Sequence, residues 1–175
     1  MSTSPAILTA LRHATRADHQ ALEEVSLGNK IMDGSLSAPE YRRLIDWQRR
    51  SHLVLEPQVA GFQDGNYGYR PRFLAPAAPG QTQVDRAGAV GILYVLEGAS
   101  LGGSLIYRKL QSNPALAGQG PFTFYRDQAD WGLQQWRAFV NFLGRSPFSP
   151  ADIARATAAA REAFATFRRE WTRVP

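Results

Sequence analysis

Three histidines, His13, His19 and His52, matter more than usual to any acid-base or metal-ligating chemistry in this chain, because its 175 residues include no cysteine. That absence excludes disulfide staples, thiolate metal sites, iron-sulfur clusters and cysteine nucleophiles, so redox chemistry here needs a borrowed cofactor. Read as a helix at about 100° per residue, Leu8, Leu11, Thr15, His19 and Leu22 form one stripe, with Arg12, Arg16 and Glu23 along its edge. His19 is then expected to face the core and His13 the solvent. A histidine on an apolar stripe is either a hydrogen-bonded core residue or a ligand, and its neighbours bear on the choice. Glu23, one turn later, is placed to accept the second ring N–H and so fix which nitrogen is free for a metal. Arg12 and Arg16 stand where they would grip the carboxylates of whatever His19 touches.

The second chemical signal is a group of glycines. Gly98-Ala99-Ser100-Leu101-Gly102 is a formal match to the G-x-S-x-G nucleophile elbow, and an apolar run precedes it as a strand would. The elbow needs a parallel sheet and a catalytic histidine after the serine, whereas all three histidines precede Ser100. A phosphate-binding loop fails too, since Ser104 follows Gly103 directly with no lysine between them. If the segment is helical, Gly98, Gly102 and Gly103 each cost about 1 kcal/mol relative to alanine, so something must compensate. Gly98 and Gly102 lie one turn apart, which bares the backbone for close approach. Either a neighbouring helix packs on that face, or a flat ligand lies over it.

The elements that must position these residues read as almost entirely helical, because apolar residues recur at helical spacing and long alternating windows are absent. A first helix starts near Ser4 and Pro5 and runs to about Val25, followed by a short irregular stretch from Gly28 to Gly34. Ser37-Ala38-Pro39-Glu40 has the S-x-x-E capping pattern and opens a second helix carrying Tyr41, Leu44, Trp47, His52 and Leu55, which kinks or ends near Pro57. The glycines and prolines between Gln63 and Gly80 predict a surface loop, long enough to be either a cover or a connection. A third helix from about Gln81 to Gln111 is interrupted at Gly98, Gly102 and Gly103, and Asn113 to Pro121 is a turn region. A fourth helix spans Asp127 to Leu143, with Trp131, Trp136, Phe139 and Phe142 inward. Ser149, Pro150 and Asp152 start a fifth that runs to about Trp171, with an alanine-rich middle that suits helix propensity.

A length of 175 residues with 44% hydrophobic and 20% charged residues is that of one folded domain, taken as residues 1–175. The formal net charge of +5 and pI near 10.0 favour acidic partners or ligands. No secretory signal is evident, and the longest apolar stretch, Val90 to Leu96, is far short of a membrane span, so a cytoplasmic protein without membrane or nucleic-acid partners is expected.

One histidine, bidentate cations and a glycine-bared surface together suit heme, which is flat, takes an axial imidazole on its iron and carries two propionates. At this point the chain resembles the heme oxygenases, especially the bacterial biliverdin-producing branch. Leu11-Arg12-x-Ala14-Thr15-x-x-x-His19-x-x-x-Glu23 is similar to that family's proximal helix, and Tyr94-Val95-Leu96-Glu97-Gly98-Ala99-Ser100-Leu101-Gly102-Gly103 to its distal helix. Trp136-Arg137-x-Phe139 is similar to a later helix.

The resemblance implies an all-α helical bundle with heme between a proximal and a kinked, glycine-containing distal helix. It implies His19 as iron ligand, Glu23 as its hydrogen-bond partner, and Arg12, Thr15 and Arg16 beside the heme on the proximal helix. It further implies Gly98, Gly102 and Gly103 as the distal glycines, with Gly98 and Gly102 shaping the reaction, Arg137 near a propionate and Tyr94 on the distal side. The implied reaction is oxidative cleavage of heme to biliverdin, CO and ferrous iron, with O2 and electrons from a ferredoxin, flavodoxin or other reductase. A biliverdin acceptor such as a bacterial phytochrome is an implied partner. One departure stands out: mammalian members carry an aspartate after the first distal glycine, and this chain has Ala99.

That departure keeps a second reading open, a noncatalytic heme-binding or heme-delivery protein. A basic nucleic-acid binder rests on pI alone, with no binding motif to support it. Arg42, Arg43, Arg49 and Arg50 either attract an acidic electron donor or form a solvated helix face.

Overall fold

A computed structural model describes residues 4–173. The chain folds as helices α1 (Ala6–Val25), α2 (Gly28–Asp33) and α3 (Ala38–Val59), then two short strands, β1 (Gln63–Asp64) and β2 (Tyr67–Gly68), paired antiparallel. Helix α4 (Arg86–Gly98) passes through a 3₁₀ turn (Ala99–Gly102) into α5 (Gly103–Ser112). After α6 (Thr123–Asp127) comes a π-turn (Gln128–Gly132), then α7 (Leu133–Arg145) and α8 (Pro150–Thr172). The fold is all-α apart from the two-stranded ribbon.

The helix starts follow the capping chemistry. At Ser37 and Ser149 the hydroxyl accepts from the amide of the third helical residue, and the Glu40 or Asp152 carboxylate accepts from the cap amide. Such a cap is worth about 1 kcal/mol. Helix α3 carries Pro57 through to Val59 and buries Tyr41, Leu44, Trp47, His52 and Leu55, as its periodicity predicts. The stretch expected to be irregular from Gly28 is instead the single-turn helix α2, closed by Gly34 in the left-handed conformation. The fourth predicted helix starts earlier, at Thr123, and is broken by the π-turn.

The core lies where α4 crosses α8. A Cβ on Gly91 would sit 2.1 Å from the Ala156 carbonyl oxygen, so this crossing requires glycine. Ala156, Ala160 and Ala163 are buried along the contact, which makes the alanine content of α8 a packing requirement as well as a propensity. Taken as one run, Arg86–Ser112 is long and apolar enough to cross a membrane by length and composition alone, but more than half of its apolar window is buried inside the protein.

The segment expected to be a surface loop is partly a core element. Tyr67 and Tyr69 are buried, and the Arg72 side chain is only 2% exposed. Glycine and proline content predicted the lack of helix correctly. Surface placement did not follow from it, because buried carboxylates on α3 and α4 supply the partners that a loop otherwise finds in water.

Candidate heme site

A cavity of about 230 Å³ opens between α1, α3, α4, α7 and α8. Helix α1 contributes Arg12, His19 and Leu22, and α4 with its 3₁₀ turn contributes Tyr94, Val95, Gly98, Ala99 and Leu101. Trp47 and Gln48 come from α3, Trp136 from α7, and Phe164 and Phe167 from α8. The walls are mostly aromatic and aliphatic, with a few polar groups converging on them, as small-molecule and cofactor sites usually are.

Of the three histidines only His19 lines this cleft. Its side chain is 60% exposed, so it does not face the core as the apolar stripe predicts. Asp18 takes the inward position instead, accepting from Arg161 Nε at 3.3 Å and Arg168 Nη1 at 2.9 Å on α8. At about 100° per residue Asp18 lies roughly 20° from Leu11 around the helix and His19 roughly 80°, so once Asp18 is paired it belongs nearer the stripe's centre. His19 is left at the cleft wall, edge-on to Phe164 at 6.0 Å. Its Nδ1 lies 3.6 Å from Glu23 Oε2, which leaves Nε2 directed away from that carboxylate.

His13 is exposed. His52 is buried behind Gln48, its Nδ1 2.7 Å from the Gln48 carbonyl oxygen and its ring edge-on to Phe73, Phe124 and Phe167. Burial pushes its pKa down to about 3, the Arg72 charge acts in the same direction, and the Gln48 carbonyl opposes them. His52 is therefore a neutral core residue.

The glycines divide into two kinds. At Gly103 a Cβ would meet the Gln128 Cβ at 2.6 Å, so that glycine is needed for packing on the π-turn. At Gly98 a Cβ would touch only the Trp136 ring at 3.8 Å, an ordinary contact, and at Gly102 only Ile106 at 3.7 Å. Of these three glycines, Gly98 alone lines the cleft, where helix packing gives no reason for it.

Other predicted site residues are not brought to the cleft. Thr15 is buried on the core side, its hydroxyl donating to the Leu11 carbonyl at 2.8 Å, because the paired Asp18 turns that face of α1 inward. Arg16 and Arg137 are exposed and lie outside the lining, while Tyr94 is half-buried within it. Arg42 donates to Gln119, Arg43 lies over the Trp171 ring and Arg50 donates to the Glu170 carbonyl, so these three form a helix face held by the chain itself. Trp47, Gln48, Phe164 and Phe167 line the cleft but had no motif to mark them; their only signal was the apolar periodicity of α3 and α8.

Among the described residues no group of three or more His, Asp or Glu side chains could hold a metal ion. A metal at His19 would have to bring most of its own ligands. The cleft fits heme in that respect: it has one imidazole, aromatic walls for a flat macrocycle, a surface of small residues at Gly98 and Ala99, and the Arg12 cation. The family model described as heme oxygenase matches residues 78–173, more than half of the chain. The chain belongs to the heme oxygenase family, which binds heme and uses O2. The matched segment includes Gly98, Gly102, Gly103 and α8, whereas His19 lies outside it. No curated protein and no solved structure matches the chain.

Proposed function

We propose that the cleft binds heme through His19 and that the protein is a biliverdin-producing heme oxygenase of the bacterial type. The observation that carries this reading is that His19, alone of the three histidines, reaches the cleft that Gly98 also lines. Heme bound there supplies the iron that activates O2 and the macrocycle that is opened to biliverdin, CO and ferrous iron, so it is both cofactor and substrate. Electrons come from an external reductase such as a ferredoxin or flavodoxin.

The chain's own part is to bind, orient and limit access. Glu23, whose Oε2 lies 3.6 Å from His19 Nδ1, stands close enough to accept that N–H after a small shift, which would leave Nε2 to hold the iron and raise its basicity. Arg12, in the cleft lining, would hold a propionate and help orient the heme, while Trp47, Trp136, Phe164 and Phe167 would exclude water from it. Gly98 and Ala99 present backbone and a single methyl group on the distal side, leaving room for a diatomic gas and water. Ala99 carries no proton donor. Gln48, whose Oε1 is buried without a partner, is placed to hold an ordered water in the cleft.

Ala99 also supports the alternative, a protein that carries heme without cleaving it. An absorption titration with hemin, followed in the same cuvette by a reductase system and air, separates the two. The oxygenase reading expects a Soret band at one heme per chain that is then lost as biliverdin appears. A Soret band stable through reduction and oxygenation would leave the carrier, and no stoichiometric binding would remove both.

A further inference from the structure

We propose that Arg72 is a positioning residue that clamps the break in the distal helix from behind. The segment from Tyr67 to Leu74 is folded around two carboxylates, Glu56 on α3 and Glu97 at the end of α4, both wholly buried. Buried carboxylates are tolerated only with full sets of partners. Glu56 accepts from the Tyr69 hydroxyl at 2.9 Å and from the amides of Arg72, Phe73 and Leu74. Glu97 accepts from the Tyr67 hydroxyl at 2.7 Å, from Arg72 Nη2 at 2.7 Å and from Gln135 Nε2 at 3.5 Å.

The Arg72 side chain also donates from Nη2 to Ser100 Oγ at 3.0 Å. One guanidinium nitrogen therefore holds residue 97 and residue 100 together, and the two residues between them are Gly98 and Ala99, both in the cleft lining. The guanidinium is itself fixed, with Nη1 on the Arg70 carbonyl and its plane against the Tyr69 and Trp131 rings. The turn it grips has little stiffness of its own, because Gly98, Gly102 and Gly103 supply three unrestricted backbone positions. The π-turn backs the same point, since a Cβ on Gly132 would lie 2.8 Å from Ser100 Cβ.

Arg72 thus joins α3 to α4 through its own amide and side chain, and both helices line the cleft. It is not part of the cleft lining, so its effect on chemistry passes through the position of Gly98 and Ala99. This rests on the heme reading where catalysis is concerned, but the clamp itself is a property of the free protein.

The test uses Arg72→Lys, which keeps a charge for Glu97 but loses the planar fork, and Ser100→Ala, which removes one bond and leaves the ion pair. Amide hydrogen exchange of the heme-free protein should rise about tenfold or more at residues 98–103 in both variants, with α1 and α8 unchanged. In the hemin-loaded protein, biliverdin formation by Arg72→Lys should fall about 10- to 100-fold with mixed product isomers, while hemin affinity stays within about threefold. Wild-type exchange at residues 98–103 in Ser100→Ala would overturn the clamp, and so would loosening spread evenly over α1, α4 and α8. If wild-type protein takes up no hemin, the proposed function falls while the heme-free exchange still decides the clamp.

Discussion

The two walls of the cleft are built by opposite means. On α1 the residues that carry chemistry are exposed: His19 is 60% and Glu23 69% open to solvent, and the helix is tied to α8 through Asp18 and its two arginines. On α4 the cleft-lining turn has almost no side-chain chemistry. Its position is set from behind by Arg72, Glu97 and the π-turn, all buried or tightly packed. On the proposed reading, the wall that would form a bond to a ligand is left unencumbered, and the wall that would only shape space is over-determined. Such a division suits a site in which one side chain binds strongly and the opposite surface selects what small molecule enters.

Each wall can be broken separately. The largest effect is expected for His19→Ala, which should abolish turnover, shift the Soret band and be partly rescued by added imidazole; wild-type turnover would remove His19 from the proposed role. A pair of identical substitutions on α4 sharpens the contrast. Gly91→Ala forces a Cβ to 2.1 Å from a carbonyl oxygen and should cost about 2 to 3 kcal/mol, read as a fall in Tm. Gly98→Ala meets only an aromatic ring at contact distance, in a residue with helical φ of −61°, so the heme-free protein should keep its Tm while hemin affinity or isomer selectivity suffers. If both variants lose stability alike, Gly98 is a packing residue.

Acid should act on stability through the core. His52 stays neutral in the folded protein because its pKa is depressed to about 3, whereas in the unfolded chain it protonates near its ordinary 6.5. The unfolded state therefore binds more protons below pH 6.5, and stability is lost progressively as pH falls from about 6.5 towards about 3. His52→Phe should flatten the dependence of Tm on pH between 7 and 4, and an unchanged slope would locate the acid sensitivity elsewhere. The smallest effect separates two neighbours on α1. Arg12→Glu should weaken hemin binding or alter the isomer pattern, whereas Arg16→Glu, outside the lining, should leave both near wild type; equal effects would mean that heme reaches past the cleft seen here.

Much of this was legible in the sequence, for local reasons. Ser37 with Glu40 and Ser149 with Asp152 mark helix starts because a capping box is complete within four residues. The break at Gly98, Gly102 and Gly103 is legible because glycine cost is also local. The same logic misread the segment from Gln63 to Gly80, where the prolines and glycines speak only against helix. A buried fate for Tyr67, Tyr69 and Arg72 depends on Glu56 and Glu97, and a lone carboxylate at the end of the apolar run from Val90 to Leu96 was the one signal available.

By itself the sequence determined an almost entirely helical chain, its main helix starts, a single chemically distinctive histidine-bearing helix and a glycine-weakened one, together with the absence of thiol chemistry. Only the tertiary structure decided that Asp18 rather than His19 turns inward, that Gly103 serves packing while Gly98 faces the cleft, and that a loop arginine holds the distal turn. The physical reason is distance along the chain. Caps and periodicity are settled by residues within a turn or two, but the partners of Asp18 lie 143 and 150 residues away, and those of Arg72 lie 25 and 28 away, on α4 and its 3₁₀ turn.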